Sequence, residues 1–189
     1  RLREWVDKGE AWAQTMMAEW YRDGQFSLKQ SCVMAAMLFE KAVAQGDPSA
    51  MFSLAILYHN GRGVVQTFEK AAELYTMAAE KGLVEAMLRL GVLYRDGKGV
   101  AQSSEKAAEL NIMAAEKGEV NAMTTLGLLY ILGQGVAQSN ELAREWLTKA
   151  ANEGHEVAIR NLKKLDKIEG KSTTASTTPT TSSPPSVCC

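Results

Sequence analysis

Two histidines, three cysteines and four prolines are all that the 189 residues hold of those types. Histidines this scarce leave little for metal ligation or acid–base chemistry. Three cysteines do not make a disulfide scaffold. No charge of one sign dominates either: 21 basic side chains meet 22 acidic ones, a net charge of −1. A nucleic-acid binder needs a basic footprint, so no nucleic-acid partner is expected. No apolar run reaches the roughly 18 residues of a membrane-spanning helix, which predicts no transmembrane segment. A Gly-x-Ser-x-Gly elbow, a phosphate loop and a dinucleotide fingerprint are all missing. The sequence therefore predicts no enzyme, no cofactor and no metal site.

What the chain does have is a cadence. Gly46, Gly82, Gly118 and Gly154 stand 36 residues apart. Ala50, Ala86, Ala122 and Ala158 keep the same step, as do Tyr58, Tyr94 and Tyr130. The pairs Gly61/Gly63, Gly97/Gly99 and Gly133/Gly135 follow, each with a valine behind it. An earlier copy carries Ala13, Tyr21 and Gly24 with one extra residue, and Phe26-Ser27 where the second loop glycine belongs. That first loop is expected to have its own shape. Self-similarity at a fixed period of this length marks a repeat architecture.

Each period reads as two helices. Ala86, Met87, Leu90, Gly91, Leu93 and Tyr94 share one helical arc. The glycines of the next turn suit positive φ, and a second helix is predicted over Ser104 to Glu116. Ser31, Thr67, Ser103 and Ser139 hold the N-cap register, each a cap of roughly 1 kcal/mol over alanine. Glu69, Glu105 and Glu141 follow two residues on, where the helix dipole favours them. Asp47-Pro48 offers a cap and a first-turn proline. Alanine pairs such as Ala71/Ala72 and Ala107/Ala108 let backbones approach. Methionines in register, among them Met51, Met87, Met123, Met77 and Met113, are expected to fill core. One hairpin cannot bury both faces alone, so neighbours must stack.

The run Ala86…Leu90-Gly91…Tyr94…Gly97-Lys98-Gly99-Val100…Lys106-Ala107…Ala114-Ala115…Gly118 resembles the Sel-one-like repeat family. That family is a relative of the tetratricopeptide repeat, whose period is shorter, about 34 residues. The resemblance covers residues 10–165. It departs from the family where Thr67, Ser103 and Ser139 replace a common aspartate and where Asn111 replaces tyrosine. Some members staple each repeat with a disulfide, for which the paired cysteines are missing here. The reading is an all-α fold: a right-handed superhelical solenoid of antiparallel helix hairpins with a 36-residue period. The resemblance implies an adaptor that assembles protein complexes, in membrane-protein quality control, signalling or bacterial–host contacts.

The expected organisation is the end of a preceding repeat at 1–9, then repeats at 10–46, 47–82, 83–118 and 119–154. A C-terminal half repeat or cap follows at 155–170, and a disordered Ser/Thr/Pro tail at 171–189. The array is expected to begin upstream of Arg1. The turn glycines are Gly61, Gly63, Gly82, Gly97, Gly99, Gly118, Gly133, Gly135 and Gly154, read as structural turns rather than phosphate cradles.

Candidate binding positions lie two, three, six and nine residues after the repeat alanine, opposite the core arc. Framework positions repeat while these vary, as on a recognition surface. Phe52 and Leu88 stand with Thr15 and Thr124 in the first register, and Arg89 and Thr125 with Met16 and Ser53 in the second. Ile56, Val92 and Leu128 hold the third, and His59, Arg95 and Ile131 the fourth. Phe52, Ile56, Val92 and Leu128 make an apolar stripe. On the concave side, where related repeats place their first helices, it suits a protein or peptide segment. Arginines beside it suit acidic groups. His59 is expected to be an exposed groove residue and His155 to have no special part. Cys32 reads as an unpaired thiol. Cys188 and Cys189 form a terminal pair that resembles prenylated ends but lacks a polybasic segment beside it, so two unmodified thiols are the default reading and lipidation the alternative. Two alternatives stay open: an accessory repeat region of a larger enzyme, and a lipid-tethered scaffold.

Overall fold

Both helices predicted for each period are present. The computed structural model describes residues 2–168 and 170, which form ten α-helices and no strand. The expected tail, with Cys188 and Cys189, lies outside the described residues. After the short α1 (Leu2–Asp7), the first helices of the repeats are α2 (Ala11–Asp23), α4 (Pro48–Asn60), α6 (Val84–Asp96) and α8 (Val120–Leu132). The second helices are α3 (Cys32–Val43), α5 (Phe68–Glu80), α7 (Ser104–Glu116) and α9 (Asn140–Asn152), and α10 (Glu156–Ile168) closes the series. Each helix packs on the one before and the one after it, which makes a solenoid of hairpins.

Local chemistry sets the helix ends. The hydroxyls of Ser31, Ser103 and Ser139 accept from the backbone N–H groups of Met34, Lys106 and Leu142. Thr67 departs from the expected cap: its hydroxyl donates to the Val65 carbonyl at 3.2 Å and leaves the first turn of α5 without it. Ser103 and Ser139 also donate to Glu105 and Glu141, at 3.0 and 3.2 Å. The Glu105 backbone N–H and then Ser103 hold that carboxyl below its ordinary range. Asp47 caps α4 through the N–H of Ser49, with Pro48 in the first turn.

The loop between the two helices is pinned twice in every repeat. The cap residue's N–H donates to the tyrosine carbonyl of the first helix, as Ser103 does to Tyr94 at 2.9 Å. The preceding glutamine donates its amide to the carbonyl one residue after that tyrosine. Gln30, Gln66, Gln102 and Gln138 reach Arg22, His59, Arg95 and Ile131, each at 2.8 Å. These bonds satisfy carbonyls that a helix end leaves open.

The second loop glycine does more than turn. Gly63, Gly99 and Gly135 have φ of +74°, +70° and +72°. A Cβ on Gly99 would lie 2.2 Å from the carbonyl carbon of Phe68, and one on Gly135 would lie 2.0 Å from the carbonyl oxygen of Ser104. Cys32, Phe68 and Ser104 are the first residues of α3, α5 and α7. Each loop therefore seats its backbone on the N-terminus of the second helix of the repeat before it. The first loop differs, with Phe26 and Ser27 themselves at φ +52° and +63°.

The alanine stripes are buried, as are Met51 and Met87. Met77 and Met113 are not: they stand 40% and 44% exposed on the second helices, against the expected core role. Their register recurs with the repeat but faces outward, because α5 and α7 bury the face that carries their alanines and, on α5, Tyr75. Two helical glycines also differ. A Cβ on Gly91 would meet only ordinary contacts, with Asn111 Nδ2 at 3.5 Å, whereas on Gly127 it would lie 2.6 Å from Leu147 Cγ. Gly91→Ala is expected to raise stability by up to about 1 kcal/mol through helix propensity. Gly127→Ala should lower it by about 1–3 kcal/mol through overpacking. Urea titration of the two variants checks the opposite signs.

Candidate functional site

The ten candidate residues lie on the first helices, and none is sealed in the core. Arg89, Val92, Arg95 and Thr125 are exposed; Phe52, Ile56, His59, Leu88, Leu128 and Ile131 are half-buried. The same registers behave differently in other copies. Thr15 and Thr124, two residues after the repeat alanine, are buried, and so is Ser53. Thr15 donates to Asp47 Oδ2, and the Thr124 hydroxyl sits 2.9 Å from His155 Nδ1. Asp47 and His155 both start the first helix of the next unit. That register thus latches one repeat to the next. Phe52 makes the apolar version of the same arrangement, with its ring 5.7 Å from Tyr75 and Leu83 packed in the same cluster. His155, expected to be idle, takes part in this latch.

Five of the ten come together. Leu88, Val92 and Arg95 of α6 and Thr125 and Leu128 of α8 line a cavity of about 340 Å³. Asn111 and Ala107 of α7 also line it, beside Gly91, whose Cβ would stand 3.5 Å from Asn111 Nδ2. Its walls are mostly apolar, with an exposed guanidinium at one side, where Arg95 Nε bonds Asp96 at 2.9 Å. Apolar walls with a few placed polar groups are the usual make-up of a recognition pocket, and this volume falls at the small end of that class. Phe52 and Ile56 line a separate, shallower hollow of about 270 Å³ beside Glu19, Arg22 and Glu85. Ile131 instead packs against the cluster of Leu147, Ala150 and Ala158.

His59 is not the exposed groove residue the sequence suggested. Its ring stands edge-on to Phe68 with centroids 5.2 Å apart, and its Nδ1 is shielded without a hydrogen-bond partner. Burial, then the charges of Arg89 and Lys98, push its pKa below the ordinary 6.5. The unfolded chain therefore binds the proton more readily than the folded one. Stability from neutral His59 is complete above pH 6.5 and declines as the pH falls through that value toward the lowered folded one. His59→Gln should flatten the slope of stability against pH between 7 and 5, which denaturation midpoints across that window measure.

The sequence reading missed the four loop glutamines, although their spacing equals that of the glycines. It also missed how lysine and tyrosine meet: Lys70 and Lys106 stand over the rings of Tyr58 and Tyr94 at 5.1 and 5.0 Å. Cys32, at the start of α3, forms no disulfide among the described residues. No group of three or more His, Cys, Asp or Glu gathers among the described residues, and no helix there is long and apolar enough to cross a membrane.

Comparison with known proteins bears directly on this architecture. The chain is similar to the solved structure of c5321, a protective antigen of uropathogenic Escherichia coli with an SLR fold. The match has 32% identity and a TM-score of 0.84, over 89% of this chain and 36% of that one. It is similar to a Sel1 repeat protein from Oxalobacter formigenes, with 27% identity and a TM-score of 0.79 over 83% of this chain and 64% of that one. Helicobacter pylori cysteine rich protein B matches at 25% identity and a TM-score of 0.53, over 68% of this chain and 92% of that one. The chain thus spans about a third and about two thirds of the length of the first two. No curated protein matches it as a relative. The Sel1 repeat pattern fits residues 13–47, 48–83, 84–119 and 120–155. The last three of those segments carry the glycine-seated loops described above, and the chain belongs to the Sel1 repeat family.

Proposed function

We propose that this chain is a non-catalytic scaffold that holds a segment of a partner protein along the face of its first helices. Sel1 repeat proteins are generally protein-interaction scaffolds, and the fold is typically non-catalytic. The observation that carries the reading is the cavity where α6 and α8 bring Leu88, Val92, Arg95, Thr125 and Leu128 around one opening. The framework that repeats is spent on stacking, in the loops, latches and alanine stripes. The varied residues left over gather at a hollow with apolar walls and a cationic rim. A solenoid of this kind binds through such varied positions because its repeated ones are already engaged.

Affinity capture compares the native chain with the double variant Val92→Asp, Leu128→Asp, both at the cavity. Circular dichroism first establishes that the variant keeps its helices. A charge placed on an apolar anchor is expected to weaken partner capture about tenfold or more. An unchanged set of captured partners at unchanged strength would place recognition on another surface.

A further inference from the structure

The cavity exists because one repeat fills its own core position with a small residue. Phe39, Tyr75, Asn111 and Leu147 occupy the same place in successive second helices. Phe39, Tyr75 and Leu147 are among the largest fully buried side chains of the protein. Asn111 is small and bends back on its own helix, donating Nδ2 to the Ala107 carbonyl at 2.7 Å. The first helix faces this position with Ala18, Ala55, Gly91 and Gly127. In the fourth repeat Leu147 fills the space over Gly127, but over Gly91 the nearest groups are Asn111 and the Ala107 carbonyl, each 3.5 Å from a Cβ placed there, with the cavity beside them. The third repeat therefore combines the smaller residue on both sides and keeps a hole of about 340 Å³.

The second repeat shows what fits there. Tyr75 is 2% exposed and packs its ring on Phe52. Burial pushes the pKa of its phenol up to about 12, and the charge of Arg89, on the first helix of the following repeat, opposes that rise. One period further on, the residues matching Phe52 and Arg89 are Leu88 and Thr125, and both line the cavity. An aromatic ring entering from outside would lie on Leu88 with its hydroxyl leading inward, toward Asn111. Arg89 is exposed on the same helix, and Arg95 borders the opening. Arg89 favours acidic neighbours on whatever carries the ring, whereas Arg95 already bonds Asp96.

We propose that the cavity over Gly91 and Asn111 receives a tyrosine side chain from an acidic segment of a partner protein, in the place that Tyr75 fills in the repeat before. This rests on the scaffold reading and narrows it to one anchor.

The test uses the full chain, with p-cresol as the probe of the cavity. Nitrogen-15 correlation spectra should show p-cresol shifting the amides of Gly91, Asn111 and Leu128. Asn111→Tyr, which fills the hole from within, should abolish those shifts and raise the melting temperature. Gly91→Leu blocks the same space from the other helix and serves if the first variant does not fold. Shifts spread over the surface, or equal in wild type and blocked variants, overturn the assignment. A random peptide library panned on the native chain then identifies the occupant. Enriched peptides should carry tyrosine between Asp or Glu residues and bind Asn111→Tyr at least about tenfold more weakly. Peptides that bind both proteins equally would overturn the anchor while leaving the scaffold reading standing. No enriched peptide at all, even with p-cresol bound, would count against both.

Discussion

Gly99→Ala is expected to destabilise the chain by more than about 4 kcal/mol, a size reserved for a named structural fault. Two costs combine. Alanine at φ +70° carries a left-handed penalty of roughly 1–2 kcal/mol. Its Cβ would also lie 2.2 Å from a backbone carbon of Phe68, and backbone cannot swing aside as a side chain does. The third-repeat loop must then lift from the start of α5, which opens an interface between repeats. Two other glycines separate these costs. Gly118 has φ +91° and nothing within 4 Å of a new Cβ, so Gly118→Ala should cost only the conformational part, about 1–2 kcal/mol. Gly97→Ala adds a 3.1 Å approach to Gln102 Cβ and should fall between them. Stability in a solenoid is nearly a sum of repeat and interface terms, so a broken interface should also split the unfolding transition. Tryptophan fluorescence can report this, because Trp5, Trp12 and Trp20 lie on one side of the fault and Trp146 on the other. A single shared transition with losses equal across the three variants would refute the seating of loop on helix.

Tyr75→Asn should cost about 3–5 kcal/mol, as large aromatic truncations in a core do. It copies into the second repeat the residue that the third repeat already has. The ring removed is 2% exposed and rests on Phe52, and Ala55 opposite has no side chain long enough to fill the gap. The variant should gain a second binding site for p-cresol, detected as new shifts near Phe52 and Ala55. The loss of stability alone shows only that Tyr75 is core. The new site shows that the hole over Asn111 follows from one residue type at one register. A cost below about 1 kcal/mol, or collapse of the site without probe binding, would contradict that account.

Helix existence and ends were legible because they rest on local signals. The α7 helix runs over Ser104–Glu116 as its periodicity and cap predict, and Asp47-Pro48 starts α4. Positive φ at the turn glycines was legible for the same reason. The contact of Gly99 with Phe68 was not, since nothing near Gly99 in the chain announces which backbone will lie on it. Helical angle alone also placed Thr15, Ser53 and Thr124 on an outward arc, but the next repeat covers that arc in part and buries them. Met77 and Met113 misled in the opposite sense: they recur like core residues yet lie on the outer face. Asn111 stood out as a departure from tyrosine, but a sequence register gives identity and not volume. The hole became visible only once Gly91, Leu88 and Leu128 were placed around it.

The central claim is that recognition occurs on the first-helix face at the third and fourth repeats. Hydroxyl-radical footprinting of the full chain, free and with its captured partner bound, tests it most directly. Leu88, Val92 and Leu128 should lose reactivity on binding, while Met77 and Met113 on the second helices keep theirs. Protection of Met77 and Met113 with Leu88, Val92 and Leu128 unchanged would contradict the claim.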